Sequence, residues 1–272
     1  MTCPHCCSAA TTKRKARTSL GYRTFRCRAC GRRFNERTGT PFNDLQYPTD
    51  IVLLAVLWRL RYKLSFRDVA ELLLERGYVV THETVRDWEF RFAPLLADRR
   101  RKKRRGRAGV SWYIDETYVK VSGRWCYLYR AIDREGALID SMLSAHRDKH
   151  AARRFLRGLL EIANRKPLRI TTDAHPAYRK AIRWIVGRKV RHRSNRYLNN
   201  WIEQDHRAIK QRYYPMRGFG SFASAARFCA AFDELRQYFR VRPRPGPSIP
   251  LATRRRLFAA RWRSLLLEMQ AA

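Results

Sequence analysis

The stretch "VSWYIDETYVKVSGRWCYLYRAIDREGALIDSMLS", residues 110 to 144, narrows the possible folds more than any other. Its β-branched and aromatic runs suit strands, and "SGR" and "REG" leave room only for tight turns between them. A three-strand antiparallel meander is predicted. Next, "DKHAARRFLRGLLEIANRK" sets Ala152, Phe155, Leu156, Leu159 and Ala163 on one helical face, and Lys166-Pro167 stops the helix. "LRITT" is a short apolar strand running into Asp173. A crossover helix returning to the same sheet is right-handed, which lays this strand parallel to an earlier one. "HPAYRKAIRWIV" reads as a helix, "KVRH" as a last strand and residues 198 to 213 as another helix.

The order βββαβαβα is that of the RNase H-like fold, so residues 109 to 240 are expected to form an α/β domain of that class. Residues 43 to 97 read as helices. Thr49, Ser65 and Thr81 are candidate N-caps, and Gly77 ends the middle helix. Two helices joined by a Gly-containing turn, the second bearing Arg86 and Arg91, outline a helix-turn-helix that would contact DNA; a plain helical hairpin has the same outline. Eight of the nine residues from Arg99 to Arg107 are basic. Such a block predicts a solvated, mobile linker over residues 98 to 108, with Arg101, Lys102, Lys103 and Arg104 as phosphate contacts. Residues 241 to 272 read as a Pro-rich linker and an amphipathic helix, which suits either an oligomer contact or a docked end-helix.

Charge narrows the partner. Lys and Arg number 59 against 23 Asp and Glu, a formal net charge of +36. Such an excess suits a polyanion. A membrane span is excluded on length: the longest apolar run, Ile51 to Trp58, is about half the ~20 residues required. "MTCPHCC" lacks the basic-then-apolar order of a secretory signal. The expectation is a cytosolic, nucleoid-associated protein bound to double-stranded DNA.

Cys3-Pro-His-Cys6 and Cys27-Arg-Ala-Cys30 are two CxxC pairs with twenty residues between them. Two knuckles of this kind can give four thiolates to one tetrahedral Zn²⁺, and Gly31 permits the tight turn. Residues 1 to 42 are therefore expected to form a zinc ribbon, with His5 and Cys7 as alternative ligands. Cys126 and Cys229 lie in apolar surroundings and read as core residues.

The acids stand out against this basic background. Along its strand Asp115 shares a face with Tyr113 and Thr117, while Glu116 points to the other face, so only one of the two is expected at a given site. Asp173 sits where a strand leaves the sheet, the usual place for a ligand in open α/β sheets. On the helix "NWIEQDHRAIKQR", a sector of about 120° holds Trp201, Ala208, Asp205, Ile209 and Ile202. Glu203, His206, Arg207 and Lys210 fill the next. Asp205 then reads as a buried acid paired with a base. Glu203 lies among bases that would hold phosphate, where a carboxylate is unfavourable unless a cation intervenes. Asp115, Asp173 and Glu203 together suit two Mg²⁺ or Mn²⁺ ions for in-line phosphoryl transfer.

"WYIDETYVKVSGRWCYLYRAIDREG", "TTDAHPAY" and "NNWIEQDHRAIKQR…MRGFGSFASA" resemble the DDE transposases of bacterial insertion sequences, above all the insertion-sequence-six family. The resemblance spans about residues 45 to 240. It implies that Asp115, Asp173 and Glu203 are the catalytic carboxylates, with His206, Arg207 and Lys210 contacting DNA or orienting the glutamate. It also implies nicking at terminal inverted repeats, 3′-OH strand transfer into target DNA, cointegrate formation by replicative transposition, and at least a homodimer. The chain departs from the family in a shorter spacing between Asp173 and Glu203, 29 residues, and in Trp201. Two other readings share some of these features: a DNA-binding regulator without catalysis, and an RNase H-like nuclease that cuts without joining.

Overall fold

The computed structural model describes residues 1–173, 175–194, 199–241 and 248–270. Residues 195–198 and 242–247, which carry part of "RYLNN" and most of the expected Pro-rich linker, lie outside the described residues. There are two compact units: Met1–Ala55 with Arg255–Ala272, and Val56–Arg254.

In the first unit, β1 (Thr11–Arg17), β2 (Arg23–Cys27) and β3 (Arg33–Asn35) form an antiparallel sheet in that order. So few residues have little apolar core: buried Cys3, Cys27 and Phe34, with Phe25 stacked on Phe34 at 5.4 Å. The strands lead into α1 (Thr49–Arg61), and the Thr49 backbone N–H donates to the Tyr22 hydroxyl at 2.9 Å. This unit extends to Ala55, past the boundary expected at residue 42. A C-terminal helix, Leu251–Gln270, buries Leu265 and Met269, and its residues from Arg255 onward belong to this same unit.

The second unit begins with two helices whose starts match the cap candidates. Ahead of α2 (Phe66–Leu74), Ser65 accepts from the Asp68 N–H while Asp68 accepts from the Ser65 N–H. Thr81 caps α3 (His82–Lys103), accepting from the Thr84 N–H. Between them Gly77 takes φ +80°, a left-handed conformation that glycine adopts without strain.

The expected linker over residues 98 to 108 is helical as far as Lys103 and turns after it. α3 covers the basic block as far as Lys103, with Arg104 as its C-cap, and acids from distant elements meet these arginines. Arg101 forms two hydrogen bonds to Asp140, at 3.0 and 2.6 Å. Arg104 binds Glu234 and the carbonyls of Leu138 and Ile139. Arg100 is buried, its guanidinium 4.2 Å from the Tyr238 ring centroid. Arg101 and Arg104 are thus engaged within the protein, while Lys102 and Lys103 lie exposed.

The element order expected from the sequence is found in full. β4 (Ser111–Val121), β5 (Arg124–Asp133) and β6 (Leu138–Ser144) form the meander. After α4 (Lys149–Ala163) come β7 (Arg169–Thr172), α5 (Pro176–Ile185), β8 (Arg191–Ser194) and α6 (Asn200–Tyr213). The sheet order is β6-β5-β4-β7-β8, with β4, β7 and β8 mutually parallel. The last strand lies two residues later than the "KVRH" reading. One face packs Trp112, Ile114, Tyr129, Ala131 and Ile139 against α4 and α5. All five residues assigned to the apolar face of α4 are buried.

The other face carries α6 and α7 (Phe222–Phe239) around a buried ion cluster. Arg130, 1% exposed, lies 2.8 Å from both Asp205 and Asp233. Asp205 also meets Arg236 at 2.6 Å and Arg240 at 2.9 Å. Burial alone would raise the Asp205 pKa, but these three arginines hold it well below the usual carboxylate range. The expectation of a buried acid paired with bases is borne out. No helix among the described residues is long and apolar enough to cross a membrane.

Candidate active site

β4 pairs with β7 only from Ser111 to Tyr113. Past Tyr113 its edge on that side is not paired with β7, and β7 itself ends at Thr172. Asp115, Glu116 and Asp173 lie at this opening. One oxygen from each carboxylate falls within 4.8 Å of the others. This corrects the expectation that only one of Asp115 and Glu116 could reach the site. The alternation of faces does hold, since Asp115 faces α6 and Glu116 faces α4 and α5. Beside the open edge, however, both short side chains reach the end of β7.

Arg147, at the turn into α4, binds Glu116 at 3.2 Å and Asp173 at 2.7 Å. The His175 N–H donates to Asp173 at 3.1 Å, fixing the loop before α5. Burial raises the Glu116 pKa while Arg147 opposes it. Among the described residues no such cation pairs with Asp115. Burial first, then the charges of Glu116, Asp173 and Glu203, push its pKa up to about 7.

Glu203 lies outside the close cluster. It sits exposed in the first turn of α6, near enough for its charge to act on Asp115. Two contacts on either side of it hold α6 to β4. Asn199 donates to the Ile114 carbonyl at 3.2 Å, and His206 Nδ1 lies 3.7 Å from Asp115 Oδ2. His206, three residues on, lies on the same side of the helix as Glu203. His206 is only 3% exposed, and burial together with Arg130 keeps its ring neutral. It is therefore set against Asp115, away from the basic surface on which the sequence placed it. Arg207 is exposed and Lys210 half-buried. Arg86 pairs with Glu83 at 2.6 Å, and Arg91 is exposed.

Three residues were missed: Glu116, Arg147 and Arg130. Arg147 stands three residues after β6, directly before the Asp148 cap of α4, a position that fixes its direction once the strand end is known.

A second cluster lies in the first unit. One Sγ from each of Cys3, Cys6, Cys27 and Cys30 falls within 4.8 Å of the others, with Cys3–Cys30 at 3.7 Å and Cys6–Cys27 at 3.6 Å. The Cys30 N–H points at Cys27 Sγ from 3.5 Å and, against the effect of burial, brings that thiol down to about 7. His5 and Cys7 are not part of the cluster.

Residues 109–242 match a protein-family model described as a DDE domain. The transposase for insertion sequence-like element IS431mec of Staphylococcus aureus strain N315 is 43% identical over 175 residues, 63% of this chain and 77% of that protein. The transposase for insertion sequence element IS257 in transposon Tn4003 of Staphylococcus aureus is 42% identical over the same shares. A simian T-cell lymphotropic virus intasome with PP2A regulatory subunit B56 gamma matches with TM-score 0.38 and 15% identity, over 70% of each chain. The HTLV-2 integrase catalytic core with magnesium gives 0.36 and 16%, over 57% of this chain and 99% of that one. The sequence relatives carry the assignment: this transposase of an insertion sequence belongs to the insertion-sequence-six family of DDE transposases.

Proposed function

We propose that the protein nicks DNA at the terminal inverted repeats of its element and joins the freed 3′-OH to target DNA, using divalent cations held by Asp115, Asp173 and Glu203. The convergence of Asp115 and Asp173 at the open edge of β4 carries this reading. The donor set fits the group. Clustered carboxylate oxygens suit a hard cation, and the Asp115 pKa, raised by burial and then by its acidic neighbours, marks a charge that such a cation would relieve. Bound there, a pair of Mg²⁺ or Mn²⁺ ions would activate the attacking hydroxyl and offset charge on the leaving oxygen.

The rest falls to the chain's own residues. Neutral His206 orients Asp115, and Asn199 fixes the start of α6 beneath Glu203. Arg147 aligns Asp173 and Glu116. Arg207 and Lys210 give α6 positive charge for the DNA backbone, joined by Arg86, Arg91, Lys102 and Lys103. The α2–α3 turn serves as a helix-turn-helix for the inverted repeats. The four-cysteine cluster takes one structural Zn²⁺, since four thiol sulfurs gathered from two turns match a tetrahedral site. The working form is a homodimer or larger, and the product a cointegrate.

The test is strand joining with purified protein, Mg²⁺ and DNA carrying candidate repeats. Asp115→Asn, Asp173→Asn and Glu203→Gln should each lower joining by roughly a thousandfold or more, with DNA binding retained. Joining at the normal rate in all three variants would refute the assignment. Cutting without joining in the unaltered protein would instead make it a nuclease.

A further inference from the structure

The far end of the β4–β5 hairpin carries aromatic rings that the core does not enclose. Tyr118 and Trp125 are 49% and 56% exposed. Across the strands Tyr118 stands opposite Tyr127, and Lys120 opposite Trp125. Tyr118 has its ring centroid 6.2 Å from Trp125, nearly perpendicular at 80°, and 5.4 Å from Tyr127. Lys120 and Arg124 are exposed beside them.

This patch continues directly from the acid cluster. Tyr118 follows Glu116 by two residues on the same face, about 7 Å along the strand. Its support is firm. The Ser122 N–H donates to the Phe219 carbonyl at 2.7 Å, the Phe219 N–H to the Lys120 carbonyl at 3.0 Å, and the Ser122 hydroxyl to the Gly220 carbonyl at 2.7 Å. Gly218, at φ +110°, allows this approach, since a Cβ there would lie 2.9 Å from the Lys120 oxygen.

We propose that Tyr118, Tyr127 and Trp125 form a stacking platform for unpaired bases of the DNA strand adjoining the cleavage position, with Lys120 and Arg124 holding its phosphates. The proposal rests on the function proposed above. Bases within a duplex are already stacked, so exposed rings add nothing to duplex binding that charge does not supply. A base freed beside a cut has an open face, and rings accept it whatever its identity. A second copy of the chain is the poorer occupant: it would bring Lys120 and Arg124 toward another molecule of net charge +36.

The experiment uses the full chain without divalent ions, so that binding is read without cleavage. Repeat-end DNA is offered fully paired, or with a short unpaired flank carrying 2-aminopurine. Tyr118→Ala and Trp125→Ala should each weaken binding to the flanked DNA by about 10- to 100-fold, leave paired DNA within about twofold, and abolish the fluorescence quenching. Trp125→Phe should keep most of the quenching. Equal losses on both DNAs, or no loss, would overturn the proposal. So would a change in sedimentation with flank binding unaltered, which would give the rings to a second copy. Unaltered protein that quenches 2-aminopurine but never joins ends would fail the transposition mechanism alone. Protein that joins ends without quenching would fail the platform alone.

Discussion

The two clusters of ligand-type side chains are built by opposite means. The cysteines come from two CxxC turns, two from each; spacing sets the members of each pair, and the short β1–β2 ladder brings the pairs together. The acids come from the middle of one strand and the end of another, so they meet only when β7 docks parallel to β4 and stops short of Asp115. Local spacing therefore identifies a site that repeats one short motif at each half. A site assembled by the sheet depends also on where its strands end.

This contrast sets three tests. The largest effect is expected at the cysteines. Removing zinc, or making Cys27→Ser, should abolish hydrogen-exchange protection in β1 to β3, because a metal in so small a unit contributes on the order of 10 kcal/mol to its folding. Removing divalent ions from the acids should shift the melting of the second unit by no more than about 4 °C, since its core is already closed. If both units melted on metal removal, or neither did, the contrast would be broken.

A smaller effect is expected at the buried ions behind the acids. Asp233→Ala leaves Arg130 with one carboxylate fewer in a closed interior, and should cost about 3 kcal/mol in denaturant unfolding. A cost below about 1 kcal/mol would mean that the acid site has no need of this scaffold. The smallest effect separates the two neighbours on β4. Glu116→Gln should weaken Mn²⁺ binding about tenfold with duplex affinity unchanged. Unchanged Mn²⁺ affinity would leave Glu116 as a partner for Arg147 only, and would restore the face argument in its original form.

Much of this was legible in residue order. The βββαβαβα pattern, the Ser65 and Thr81 caps, the buried face of α4 and the paired state of Asp205 all follow from periodicity and local chemistry. The failures share one cause. The arginine-rich block looked like a mobile linker because Asp140 and Glu234, which meet Arg101 and Arg104, are far away in sequence. Glu116 was set aside because strand alternation says which way a side chain leaves the backbone, but not where the neighbouring strand stops. Arg147 carries no sequence signal for the same reason. Its two carboxylate partners belong to different strands.

α3 is 22 residues long, so it spans about 33 Å, close to one turn of B-form DNA. One end carries the turn that follows α2, and the other is bolted to β6 and α7. Helix rather than slack chain joins the two ends, with Pro94 partway along it. Inserting a single residue would swing one end by about 100° relative to the other. If the α2–α3 turn grips DNA as proposed, the distance from that grip to the acids would be set by the length of this helix.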